Sequence, residues 1–419
     1  MIKFSQDQNV KLNNFCLYLM VITTMIGPMI YIGFASLYHF AVFAMLLMVL
    51  YKGIHTGNFK TTIMTFLLFW FVEAAVSVIW SPDKILTLQY VYYIFLILCV
   101  CILFHYFLNK QNLLKFSHFM VLILALCNLI AFWEINTGNH LVQDYLSTPL
   151  RLRLLKYVPG GFYKNPNDFA TFIIQIIPFS FMCLSSPKRW IRAVSVFNLI
   201  ASFVTVCAAQ SRTQILLLLV MYIFFGLVLR KKILLKYSLL VCVAATVLYF
   251  IYPQFNDLID GALESVAGKS LASNVSTAGG SLNTRVNLLR NAGYILLDSF
   301  GLGVGAGCHR VVMAEYSTMY FDTHGILVMH NLLGEIFVDY GFFVGIAFII
   351  VIVTSCRKLY LVFKTEENYN IRLLAIMLSF SLGIFIFCGM SSSSILQLTS
   401  VWMTFCFTSA FINLYYNKK

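Results

Sequence analysis

Only 11% of this 419-residue chain is charged, so the side chains able to do chemistry stand out. Asp322-Thr323-His324-Gly325 is followed by His330-Asn331-Leu332-Leu333-Gly334-Glu335, which runs directly into a long apolar stretch. His330 would stand where that stretch begins. Imidazole titrates near neutral pH, and positive neighbours such as Arg212 or Arg285 would keep it neutral and able to accept a proton. A lone histidine at such a boundary is more often structural, but Asn331, Glu335 and Asp339 follow at i, i+4 and i+8. They give an otherwise apolar helix a polar stripe, which favours the functional reading. Arg212 lies in Ala209-Gln210-Ser211-Arg212-Thr213, just before another apolar run. Its bland alternative is a snorkelling residue at a helix end.

Two other patterns carry less. Gly301-Leu302-Gly303-Val304-Gly305-Ala306-Gly307 has the look of a dinucleotide loop, but no strand or βαβ unit surrounds it, so a hairpin or close packing is expected instead. His309, His324 and His330 match no metal-ligand spacing, and no metal or other cofactor is expected. The 11 cysteines contain no CxxC pair, and all but Cys308 lie in or beside apolar runs, which supports neither a zinc site nor a disulfide framework.

The elements that must position these residues follow from composition. The chain is 60% hydrophobic with 39 Phe and a mean hydropathy of +0.84, a balance that requires lipid around it. Within a bilayer only helices or a closed barrel satisfy the backbone, and strand-like alternation is absent. The expected fold is an all-α polytopic membrane bundle, one membrane domain over residues 1–419. About twelve spans are expected, near 14–33, 35–51, 61–80, 87–107, 116–134, 168–185, 193–209, 213–229, 237–253, 331–355, 373–390 and 395–415. The break around Ile32-Gly33-Phe34 is weak, so eleven is the alternative.

The net charge of +13 does not point to nucleic acid, because Lys and Arg sit in short loops between apolar runs. With the N-terminus inside, 19 of the 29 fall on the inner side, so both termini are expected in the cytoplasm. The first apolar run lacks a cleavage site and reads as a retained span. Two long loops then face outward, 135–167 and the larger 253–329 between the ninth and tenth spans. The inner side is rich in Lys. The outer side instead holds Arg151, Arg153, Arg212, Arg285, Arg290 and Arg310 against four Lys. Guanidinium grips phosphate or carboxylate bidentately, so this bias suggests an anionic ligand at the outer surface, with loop solubility as the bland reading.

These residues resemble those of the O-antigen ligase and repeat-unit polymerase superfamily, membrane glycosyltransferases acting on lipid-linked glycans outside the cytoplasmic membrane. The resemblance rests on Gly160-Gly161-Phe162 through Asn165-Pro166-Asn167-Asp168, then on Gln210-Ser211-Arg212-Thr213. Thr284-Arg285 and the glycine cluster come next, followed by His330-Asn331 with Glu335 and Gly341 behind it. It covers about residues 155 to 350.

The resemblance implies transfer of a glycan from an undecaprenyl pyrophosphate carrier to an acceptor glycan hydroxyl at the outer face of a bacterial cytoplasmic membrane, without a metal. Arg212 and Arg285 would bind the pyrophosphate, and His330 would orient or deprotonate the acceptor. Asn331, Glu335, Arg290, Asn167 and Arg153 are further candidates for substrate contact, with Arg290, Arg153 and Arg310 as substitutes for the arginine roles. A flippase and a chain-length regulator are the partners such a role implies. The sequence does not settle between a polymerase and a ligase that moves finished polymer to another acceptor; a polymerase is the expectation, because the family's polymerases are diverse and no feature specific to lipid A core ligases is found. The rival of another class is a lipid-linked oligosaccharide flippase or secondary transporter, which should show inverted repeats and midplane charges; no repeat is found, and Glu73 is the clearest charge of that kind.

Overall fold

The computed structural model describes residues 6–26, 29–32, 35–52, 61–142, 155–228, 281–389 and 395–416. Among them the chain forms thirteen helices: α1 Gln6–Ile26, α2 Leu37–Lys52, α3 Thr62–Val76, α4 Lys84–Phe107, α5 Leu113–Thr137, α6 Pro166–Cys183, α7 Arg189–Ala208, α8 Arg212–Val228, α9 Ser281–Asp298, α10 His309–Met319, α11 Leu332–Thr365, α12 Tyr369–Cys388 and α13 Thr399–Tyr415. Among the described residues, six segments are long and apolar enough to cross a membrane: Thr62–Ile79, Lys84–Phe107, Leu113–Thr137, Arg189–Ala208, Leu332–Thr365 and Tyr369–Cys388. The protein is an all-α polytopic membrane bundle. Eleven of the twelve expected spans fall on helices, and the ninth, 237–253, lies outside the described residues. The weak break between the first two spans is a real one, a two-residue antiparallel ladder pairing Tyr31 with Ser36 and Ile32 with Ala35.

Local chemistry sets the helix ends. Asp83 caps α4 by accepting from the N–H groups of Ile85 and Leu86 at 3.1 and 3.0 Å, and α5 stops at Gly138 in the left-handed region (φ 67°). Asn165 caps α6, and Pro166 fills a first-turn position where no N–H is needed. Between helices, side-chain amides act as polar glue in an apolar medium. Asn128 of α5 bonds Ser202 and Thr205 of α7, and Asn198 of α7 donates to Ser180 of α6 at 3.1 Å. An aromatic core of Trp70, Phe348, Phe385, Trp402 and Phe405 joins α3, α11, α12 and α13, with the Trp402 and Phe385 rings 5.0 Å apart.

The expected tenth span is not one continuous helix. At Gly341 (φ 81°, ψ 179°) α11 breaks into a short upper rod and a long lower one. A break frees backbone carbonyls that lipid cannot satisfy. The glycine run supplies the missing donors, Val304 N–H to Val338 O at 2.8 Å and Gly305 N–H to Asp339 O at 3.0 Å, while Phe342 N–H returns to Gly301 O at 2.8 Å. Trp80 Nε1 also donates to Gly303 O at 3.0 Å. Gly301, Gly303, Gly305 and Gly307 all have positive φ, so the run is a close-packing loop.

Of the expected large outer loop, the described portion includes two helices, α9 and α10, joined by the glycine run. Glu73 stands in the last turn of α3, where its carbonyl accepts from Ser77 N–H, and its side chain is within electrostatic reach of Asp339.

A Cβ at position 303 would meet Gly341 N at 2.6 Å and Asp339 O at 2.8 Å, both backbone atoms that cannot yield. At Gly325 (φ 75°) a Cβ meets nothing within 4 Å. Gly303→Ala is therefore expected to lower the thermal midpoint of the detergent-purified protein substantially. Gly325→Ala should cost only the left-handed penalty of about 1–2 kcal/mol.

Candidate functional site

The starts of α6, α8 and α11 and the end of α12 meet on one face of the bundle. Gln214, in the first turn of α8, donates to Thr171 Oγ1 of α6 at 2.9 Å and to Cys388 O of α12 at 3.0 Å. Thr171 in turn donates to the carbonyl of Asn167. Beyond Cys388, a Cβ on Gly389 would lie 2.5 Å from the Leu332 Cβ, so α12 ends pressed against the start of α11. Arg212, Asn167 and His330-Asn331 are thereby brought to one end of the molecule, which is the end that the charge count assigns to the outside.

α9 arrives from the other flank. Leu288, Ala292 and Ile295 share a buried apolar cluster with Met329 and Val338, so α9 lies along the upper rod of α11 with Arg285 at its open end. Arg285 is within electrostatic reach of Arg212. Partial desolvation by the surrounding protein, and then the Arg212 charge, lower its pKa from the ordinary value, and guanidinium chemistry keeps it protonated throughout the physiological range. No carboxylate pairs with either arginine among the described residues. Two like charges from segments 73 positions apart (285 − 212) are thus brought within electrostatic reach of each other with no carboxylate counterion among the described residues. That arrangement suits a divalent anion such as a phosphate or pyrophosphate. The positive ends of α6, α8 and α11 point the same way.

His330 is half-buried and has φ 48°, and Gln210, just before Ser211-Arg212, has φ 58°. Both candidate motifs thus enter their helices through a left-handed residue that is not glycine, a strained conformation found disproportionately at functional sites. Asn331 caps α11, its Oδ1 accepting from Gly334 N–H at 3.0 Å, so its carboxamide oxygen serves the helix.

Other sequence candidates fall elsewhere. Arg290 stacks on Phe321, its Cζ 5.1 Å from the ring centroid, instead of joining Arg212 and Arg285. Glu335 is buried in a cluster with His309, whose Nε2 is 3.9 Å from its Oε1. The polar stripe of α11 therefore faces protein, and Glu335 does not stand as a surface contact for substrate. Arg310 lies near Tyr90 and His309, not beside the arginine pair. Arg153 lies outside the described residues. His309 is buried, His324 is exposed in a turn with Asp322, and His330 opens α11, so the three histidines occupy separate environments.

Two features escaped sequence reasoning. Asp339 receives both the backbone N–H of His309 at 2.7 Å and its ring Nδ1 at 2.8 Å. The signal was two acids at i, i+4 in an apolar helix, which cannot be buried without a partner. Buried Glu134 accepts from Gly160 and Gly161 N–H at 2.9 Å each and from Leu141 N–H at 3.1 Å. It gathers the loop that delivers Asn165 and Asn167, and a lone acid at the end of a span gave little warning of that.

Residues 197–349 match the family described as O-antigen ligase. The chain is also 25% identical over 365 residues to the Teichuronic acid biosynthesis protein TuaE of Bacillus subtilis (strain 168), covering 84% of this chain and 72% of that protein. Both matches support the resemblance read from the sequence, and with it a membrane polysaccharide polymerase or ligase.

If the arginine pair is an anion site, millimolar inorganic pyrophosphate should raise the thermal midpoint of the purified protein by a few degrees and leave Arg212→Ala and Arg285→Ala unmoved. Without anion, Arg212→Ala should melt no lower than wild type, since it relieves repulsion.

Proposed function

We propose that this chain, whose residues 197–349 match the O-antigen ligase family, is a polysaccharide repeat-unit polymerase. It moves a growing glycan from an undecaprenyl pyrophosphate carrier to a hydroxyl of the next lipid-linked repeat at the outer face of the membrane. The observation that supports this reading most is the electrostatic proximity of Arg212 and Arg285, with no carboxylate counterion among the described residues. A relative named for teichuronic acid biosynthesis is consistent with an envelope polysaccharide as the product.

In this reading the acceptor hydroxyl attacks the anomeric carbon of the donor sugar on the side opposite the departing pyrophosphate. The new glycosidic C–O bond forms as the C–O bond to phosphate breaks, the hydroxyl proton passes to His330, and the leaving pyrophosphate keeps the electron pair. The configuration at the anomeric carbon inverts. Arg212 and Arg285 neutralise the charge that grows on the leaving group, where preorganised donors contribute most. Asn167, at the start of α6, would contact the same headgroup, and the segment carrying α9 and α10 would cover the site. The ligase alternative shares this chemistry and differs in its acceptor.

Arg212→Ala should lower the rate of polymer formation roughly 10²- to 10³-fold, the usual effect of removing one such donor. His330→Ala, introduced in the chromosomal copy, should leave single repeats on carrier lipid when surface polysaccharide is resolved by gel electrophoresis. Full-length polymer retained on the carrier would identify a ligase, and unchanged polysaccharide would sink the assignment of His330. His330→Gly separates chemistry from conformation: glycine accepts φ 48° without strain, so the variant should fold as wild type does and still fail to elongate.

A further inference from the structure

We propose that Asp339 and His309 are positioning residues that set the placement of Arg285 against His330, an inference that rests on the transfer reading above. Neither touches the arginine pair. Both are fully buried, and Asp339 holds His309 through two directional bonds, one to its backbone N–H and one to its ring. His309 opens α10 directly after the glycine loop, and that loop is fixed to the break in α11 by backbone bonds to Val338 and Asp339. The block comprising α9, the loop and α10 therefore joins α11 through Asp339 with both its carbonyl and its carboxylate.

Leverage makes this joint matter. Arg285 stands thirteen residues from the loop end of α9 (298 − 285), about 20 Å at helical rise. A tilt of about 5° at the joint would move the guanidinium by roughly 2 Å, and misplacement of about 1 Å at a reacting centre can cost 10²-fold in rate. The apolar seam along α9 limits sliding only weakly, because apolar contact is non-directional, whereas the carboxylate fixes an angle.

The groups facing the His309 ring are Asp339 and Glu335 from α11 and Arg310 beside it on α10, with Tyr90 of α4 near Arg310, Glu335 and Asp339 and Glu73 of α3 near Asp339. Its Nε2 has no hydrogen-bond partner among the described residues, so the Asp339 edge is the one that orients it. Burial alone would lower the His309 pKa, but the Asp339 charge and bond, with Glu335, raise it above the ordinary value. The ion-paired form is thus fully present below the ordinary histidine pKa and is lost as pH rises through the raised one.

A double-mutant cycle on the full-length chain tests this, with the initial rate of polymer formation in membrane vesicles from the producing cell normalised to folded protein. Asp339→Asn should reduce the rate roughly 10²-fold in the wild-type background but no more than about threefold when Arg285 is already alanine, because a positioning residue acts through the group it positions. It should also move the alkaline limb of the rate profile to lower pH. His309→Gln, which leaves the backbone bond to Asp339 intact, should repeat the pattern and stands in if Asp339→Asn fails to fold. Equal losses in both Arg285 backgrounds, or no loss in wild type, would overturn the proposal and leave the transfer reading untouched. An Arg285→Ala variant of full activity would instead overturn the transfer reading, and this proposal with it.

Discussion

Everything at the functional end of this protein depends on how a broken transmembrane helix keeps its backbone satisfied. A helix interrupted at Gly341 exposes carbonyls that water cannot reach and lipid cannot bond. The glycine loop at 301–307 resolves this by presenting its own N–H groups at the break. Approach that close requires residues without a Cβ on both sides, and the positive φ values along the run meet the same need. The extramembrane block is therefore docked by backbone, and its helices inherit their direction from the break.

That constraint explains why the site can be assembled from such distant parts of the chain. α6, α8 and α11 start at one face because buried amides and a missing Cβ hold them there, through Gln214 and Gly389. α9 adds the second arginine only because its far end is tied to the break. The electrostatic cost of two adjacent guanidiniums is tolerable because they reach solvent, and it becomes an advantage when an anion arrives.

Much of this was legible in the sequence, and the rest was hidden for physical reasons. Span positions were readable because apolar length is dictated by the bilayer, and Arg212, Arg285 and His330 stood out as candidates because their types contradict their surroundings. The break at Gly341 was not readable, since a glycine in an apolar run is common and only its partner loop reveals its torsion. Glu335 and Asp339 were correctly seen as a stripe, but periodicity cannot tell a face turned to substrate from one turned to buried His309. The same limit applied to Arg290, whose partner Phe321 is distant in sequence.

His330 enters its helix in a backbone conformation that asparagine adopts more readily, and a single base change converts a histidine codon to an asparagine codon. If the transfer reading holds, that one base change would keep the backbone and remove the base, so lineages that have lost the need for the reaction should carry asparagine here while the rest of the fold stays intact.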